Sequence, residues 1–194
     1  HAPLIGPVDF EKMKEILEAK KTCDFRIIGM LGSNETSGQE TADNIIKSSH
    51  LKATQIVNEA VKQFGFKNSE IFLELNATPL AQDLPKNEGQ PGQTFIAFET
   101  MKKIKHDPQL RGVRCLMRPD KISQTLPRKI GISRAYIAKA IEYGLDAVFA
   151  DPAHRFGVVK PDAELVNLID AYAKMDGSAK NMEKVTLLMN TLRR

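Results

Sequence analysis

Ile71-Phe72-Leu73-Glu74-Leu75-Asn76 is a short run, apolar at consecutive positions and broken only by a carboxylate. Such a run reads as a strand covered on both faces, because a strand with one wet face would alternate apolar with polar. Upstream, Phe25-Arg26-Ile27-Ile28-Gly29-Met30-Leu31 reads the same way and ends in the polar loop Gly32 to Gly38. Between the two strands, Ala42, Ile45, Ile46, Ala53, Ile56, Val57, Ala60, Val61 and Phe64 keep a helical period, and Gly65 supplies the stop.

Downstream the alternation repeats. Phe95 to His106 reads as a helix after a long loop rich in Pro and Gly. Val113 to Met117 is a third strand, leading through Arg118-Pro119-Asp120-Lys121 to a helix from Ser133 to Tyr143 closed by Gly144. Ala147-Val148-Phe149-Ala150 is a fourth strand, followed by a helix from about Pro161, a residue suited to a first turn, to Lys174. A first helix capped by Asp9 carries Phe10, Met13, Ile16 and Leu17 on one side. A last amphipathic helix begins near residue 178 and runs through Met182, Val185, Leu187, Leu188 and Leu192.

Doubly covered strands alternating with helices define an α/β protein with a parallel sheet, read as one domain over residues 1–194. Four β-α units fit either an open doubly wound sheet or half of an eight-stranded barrel, and periodicity does not choose between them. A half barrel leaves two strand edges to be covered by the missing half or by another copy of the chain.

Composition excludes several classes. The charge of +4 comes from Lys and Arg scattered along the chain, without the clustering that nucleic-acid binding requires. No window approaches the roughly 20 apolar residues that span a bilayer, so a cytoplasmic chain without a membrane partner is expected. The chain starts at His1 rather than Met, as part of something longer would, and as a processed or tagged terminus would too. Cys23 and Cys115, beside or within strands, read as buried thiols rather than a disulfide framework. His1, His50, His106 and His154 lack metal-ligand spacing, so no metal site is expected, and His50 and His106 read as surface residues. A P-loop, a G-x-G-x-x-G turn and a G-x-S-x-G elbow are all missing.

The polar residues collect where the strands end: Asn34 after the first, Glu74 and Asn76 at the second, Asp120 and Lys121 after the third, Asp151 and His154 after the fourth. In a parallel α/β sheet these ends share one rim, where substrates bind. Asn34, Asp120 and Asp151 read equally well as turn formers or caps. Glu74 reads as functional, because a carboxylate inside an apolar run needs a partner or a ligand. Lys121, Arg128, Lys129 and Arg134 bracket one exit loop, as an anion site or a solvated face would.

The run Ile122-Ser123-Gln124-Thr125-Leu126-Pro127-Arg128-Lys129, then Ser133 to Ile137, Ala140, Gly144 to Val148 and Asp151-Pro152, resembles the end of the methyltetrahydrofolate:corrinoid methyltransferases. Asn34-Glu35, Gly65 with Ile71 to Glu74, and Pro79 to Asp83 resemble that family's preceding units, so the likeness covers approximately residues 22 to 175. It implies a (β/α)8 barrel of the TIM type related to dihydropteroate synthase, with this chain as strands 5 to 8. It further implies methyl transfer from N5 of methyltetrahydrofolate to a cobalamin carried by a partner corrinoid protein, with no tightly bound metal in this chain.

On that likeness Glu74 anchors the pterin, one methylene longer than the family's Asp. Asn34, Asn76, Ser123, Arg134 and Asp151 join it in binding the substrate, while Lys121 and Asp120 line the reacting side as catalytic candidates. Where the family has Ser-Asn before Val-Ser-Gln, this chain has Asp120-Lys121 before Ile122-Ser123-Gln124. That departure, with strands one to four absent, gives an alternative: a non-catalytic half barrel serving as an assembly partner of a corrinoid protein. In either case a homodimer, or completion of the barrel by another chain, is expected.

Overall fold

The structure, a computed structural model, describes residues 4–5, 10–31, 41–83 and 89–193. Its elements follow the chain as β1 (Leu4–Ile5), α1 (Lys14–Glu18), β2 (Ile27–Met30), α2 (Ala42–Phe64), β3 (Ile71–Glu74), α3 (Gln93–His106), β4 (Arg114–Met117), α4 (Lys129–Glu142), β5 (Leu145–Val148), α5 (Ala163–Tyr172) and α6 (Ala179–Arg193). The sheet is parallel throughout, in the order β1-β2-β3-β4-β5. Each strand pairs with the next in sequence and the order never reverses, so the described sheet lacks the switch point of a doubly wound fold. The arrangement is compatible with part of a (β/α) barrel.

Strand alternation sorts the side chains into two faces. Ile27, Ile71, Leu73, Cys115 and Met117 share the main core cluster with Ala53, Ile56 and Ala60 of α2, Phe98 and Met101 of α3, Ala135 and Tyr136 of α4, and Leu165 and Leu168 of α5. Fully burying a side chain of this kind contributes roughly 1.5–3 kcal/mol relative to exposure. At Gly29 a Cβ would stand 2.7 Å from Ile56 Cγ2, so only glycine lets α2 settle this close to β2. The alternate positions Ile28, Met30, Phe72, Glu74, Arg114 and Leu116 point to the other face. Ile28 and Leu116 are buried there, yet stand outside the helix-side cluster.

Helix ends follow local chemistry. Thr41 caps α2 through its hydroxyl, which accepts the Asn44 N–H, and Gly65 ends the helix at φ 74°. Asp162 caps α5 by accepting the Glu164 N–H at 2.9 Å.

The structure corrects several sequence expectations. Helix α1 is limited to Lys14–Glu18, with turns before it and a 3-10 turn at Ala19–Lys21 after it; Ile16 is exposed, and Asp9 lies outside the described residues. Helix α4 starts at Lys129 rather than Ser133, a full turn earlier. Strand β5 is Leu145–Val148 rather than 147–150. Cys23 is exposed, whereas burial pushes the Cys115 thiol up to about 12. His50 is half-buried, with Nε2 2.9 Å from Asp107 Oδ2. In α6, Leu187 is exposed while Val185 and Met189 are buried. No helix among the described residues is long and apolar enough to cross a membrane.

Candidate functional site

Because Leu73 points into the helix layer, its neighbour Glu74 points to the opposite face, where its side chain keeps 14% exposure. Glu74 pairs in register with Leu116 of β4, and Arg118 stands two residues further along that strand's path. Arg118 Nε lies 2.8 Å from Glu74 Oε1, and Nη2 donates to Oε2 at 3.3 Å. The Nε–H, despite this closeness, makes no hydrogen bond among the described residues. The guanidinium carbon also sits 5.4 Å from the centre of the Phe149 ring, within cation–π range. The burial cost anticipated for Glu74 is thus offset by a cation from the neighbouring strand.

Phe149 forms one wall of a groove of about 660 Å³ at the exits of β4 and β5, a volume in the range of small-molecule sites. Pro119, Ile130, Ala150 and Phe156 add to its apolar lining, and Phe149 itself is 62% exposed. Asp120, Ser123, Lys129, Ser133, Asp151 and His154 bring polar groups to the same groove.

The β4–α4 loop is held from beneath. Ser123 and Ser133 are both buried with their hydroxyl oxygens 3.1 Å apart, and the Ser133 hydroxyl donates to the Pro119 carbonyl at 3.5 Å. Two non-glycine residues of this loop, Thr125 at φ 66° and Arg128 at φ 55°, adopt the left-handed region, a strained choice that the surrounding contacts must maintain. Arg128 is fixed by Asp162 at 2.6 Å and Glu164 at 3.1 Å across the start of α5. The bonds to these two carboxylates raise the Arg128 pKa. The Asp162 carboxyl is lowered by the Glu164 backbone N–H first and by Arg128 second.

The far wall is built on a 3-10 turn, Pro152–His154. Asp151 caps it by accepting the Ala153 N–H at 2.8 Å, and Arg134 of α4 donates from Nε to the His154 carbonyl at 2.9 Å. The two residues therefore fix one turn from opposite sides. The His154 ring meets Phe156 edge to face at 5.4 Å.

Asp120, Ser123 and Asp151 thus share one groove, and Glu74 is joined to it through Arg118 and Phe149. Lys121 is exposed and does not line the groove. Asn76 lines a separate cavity of about 20 Å³ with Ser49 and Gln93. Asn34 lies outside the described residues. Sequence reasoning missed Arg118 as the partner of Glu74, and missed the aromatic wall of Phe149 and Phe156. A large apolar residue at a strand exit was the available signal for Phe149. Among the described residues no group of three or more His, Cys, Asp and Glu side chains could hold a metal ion. No family model matches the chain, and no curated protein matches it.

Proposed function

We propose that this chain is the C-terminal half of a pterin-binding (β/α)8 barrel that transfers a methyl group from methyltetrahydrofolate to a corrinoid carried by a cytoplasmic partner protein. The observation that carries the reading is Glu74: a carboxylate on the sheet face away from the helices, at a strand end, joined through Arg118 and Phe149 to a groove of ligand size. A carboxylate in that place matches the paired N–H donors on the pyrimidinone edge of a pterin, and Phe149 offers a face for its rings.

Within the groove Ser123 and Asp151 line the substrate's path, and Arg134 holds the turn that Asp151 caps. When bound on its partner, the corrinoid supplies the methyl acceptor. As the methyl leaves, N5 keeps the bonding electron pair and takes up a proton. Asp120 is the groove carboxyl that can hold that proton, or a water carrying it, against N5. A second copy of the chain, or another polypeptide, completes the barrel.

Lys121, exposed and outside the groove lining, favours a second reading in which the same half barrel binds a corrinoid protein without catalysis. The loss of cob(I)alamin absorbance in the presence of methyltetrahydrofolate separates the two. Turnover above the protein-free background supports the transferase, whereas none, with corrinoid-protein binding retained, supports the assembly partner.

A further inference from the structure

We infer that Arg118 is an internal stand-in for the ligand, filling the Glu74 subsite until a planar heterocycle with an amidine-like N–H edge displaces it. The inference rests on the pterin reading for the identity of the heterocycle; the class of ligand comes from the contacts of Arg118 itself. Its guanidinium is planar, meets one carboxylate at two points, and lies against one face of Phe149. A 2-amino-4-oxopyrimidine ring presents the same three properties: flatness, two adjacent N–H donors, and a π face. It can therefore take over both contacts at once.

Two details mark the resident pair as replaceable. Arg118 Nε is 2.8 Å from Glu74 Oε1 without a hydrogen bond to it, so one arm of the fork is misaligned and a donor pair aligned on both oxygens gains a bond that Arg118 does not make. The Arg118 side chain also keeps 43% exposure against 14% for Glu74, so the cation has solvent to move into while the carboxylate stays in place. Phe149, 62% exposed at the groove wall, keeps its ring open to an incoming ligand. The stand-in also keeps the carboxylate neutralised when no ligand is present. Ligand must then bind at the expense of the closed form, and its apparent affinity is reduced by the fraction of molecules in which Arg118 is docked.

The test is a fluorescence titration of the full chain with 2-amino-4-oxopteridine, with 2,4-dioxopteridine, which lacks the 2-amino donor, and with the single ring 2-amino-4-oxopyrimidine by competition or calorimetry. Wild type and Arg118→Ala are compared, with far-UV circular dichroism as the folding check. Arg118→Ala should bind the 2-amino-4-oxopteridine about fivefold tighter or more, with a smaller change for the dioxo compound. Equal or weaker binding of the 2-amino-4-oxopteridine by a folded Arg118→Ala overturns the stand-in and leaves the pterin reading in place. Tighter binding of the single ring by the variant, with no pteridine bound by either protein, keeps the stand-in and removes the pterin reading. Absence of binding by every probe to both proteins overturns both. Should Arg118→Ala fail to fold, Arg118→Lys, which keeps the charge but loses the fork, must show the same tightening.

Discussion

Asp83 Oδ2 accepts the backbone N–H of Thr94 at 2.9 Å, with Oδ1 on the N–H of Gln93, so a buried carboxylate 10 residues before Gln93 closes the first turn of α3. Burial pushes the carboxyl up, against the Thr94 and Gln93 bonds, from 3.8 to about 6. The folded chain thus holds this proton more tightly than the unfolded chain. Its contribution is full below the unfolded value and is lost as pH rises through about 6. A rise of that size corresponds to about 3 kcal/mol. The Tm should therefore be higher at about pH 5 than at about pH 7.5, and Asp83→Asn, which keeps one acceptor and removes the titration, should flatten that difference. Glu70 and Asp176, both lowered, withdraw their stability only as pH falls below the ordinary carboxylate range. A thermal melt series that rises with pH across this window would sink the assignment.

At the opposite end of the sheet, Asp146 Oδ2 accepts the Cys115 N–H at 2.6 Å and pairs with Lys105, whose ammonium also donates to the Val113 carbonyl at 2.9 Å. The β4–β5 register shifts between Cys115 and Leu116, and Asp146 supplies the acceptor there. Asp146→Ala leaves the Cys115 N–H without that acceptor and should cost about 2 kcal/mol in chemical denaturation. Asp146→Asn, which keeps an acceptor oxygen, should recover about half of the loss.

Gly177 sits at φ 98° with its carbonyl accepting the Gly89 N–H at 2.8 Å, while Met175 accepts the Gly92 N–H at 2.8 Å. These two bonds tie the segment before α3 onto the junction between α5 and α6. A Cβ at position 177 would fall 2.7 Å from the Gly89 carbonyl carbon, and backbone cannot move aside as a side-chain tip can. Gly177→Ala should therefore lower stability by about 2 kcal/mol or more, combining strained backbone with the clash. Urea denaturation with an unchanged midpoint would refute this.

For Glu74 the expected readout is binding. If the proposed pterin reading holds, Glu74→Ala removes the carboxylate that would meet the pterin edge and should weaken methyltetrahydrofolate binding by the completed barrel on the order of 10- to 100-fold. Calorimetric affinity equal to that of wild type would separate this residue from the ligand.

Strands and helices were legible where burial alone dictated them. Ile71 to Glu74 and Ala42 to Phe64 needed nothing but periodicity and a glycine stop. The start of α4 was hidden because Gly131 falls in its first turn and because Arg128, just before it, uses a left-handed backbone instead of a capping side chain. Strand β5 was read two residues late because Gly144 and Asp146 resemble a turn; Asp146 belongs to the strand through bonds to Cys115 and Lys105 that only the register reveals. Leu4–Ile5 is too short to carry a pattern. The same limit governs the site. That Glu74 needed a partner was readable from its apolar neighbours, but choosing Arg118 required the alignment of Glu74 with Leu116, which lies in another strand's hydrogen bonds.

Neighbour-to-neighbour pairing of the strands has a consequence for how the chain reaches this state. Each of the ladders pairing Ile27 with Ile71 and Leu73 with Cys115 closes over one described α-helix, so no described strand waits for a distant one before it can pair. Loop closure is paid in similar instalments along the polypeptide, and a chain emerging from the ribosome can complete one ladder before the next strand is made.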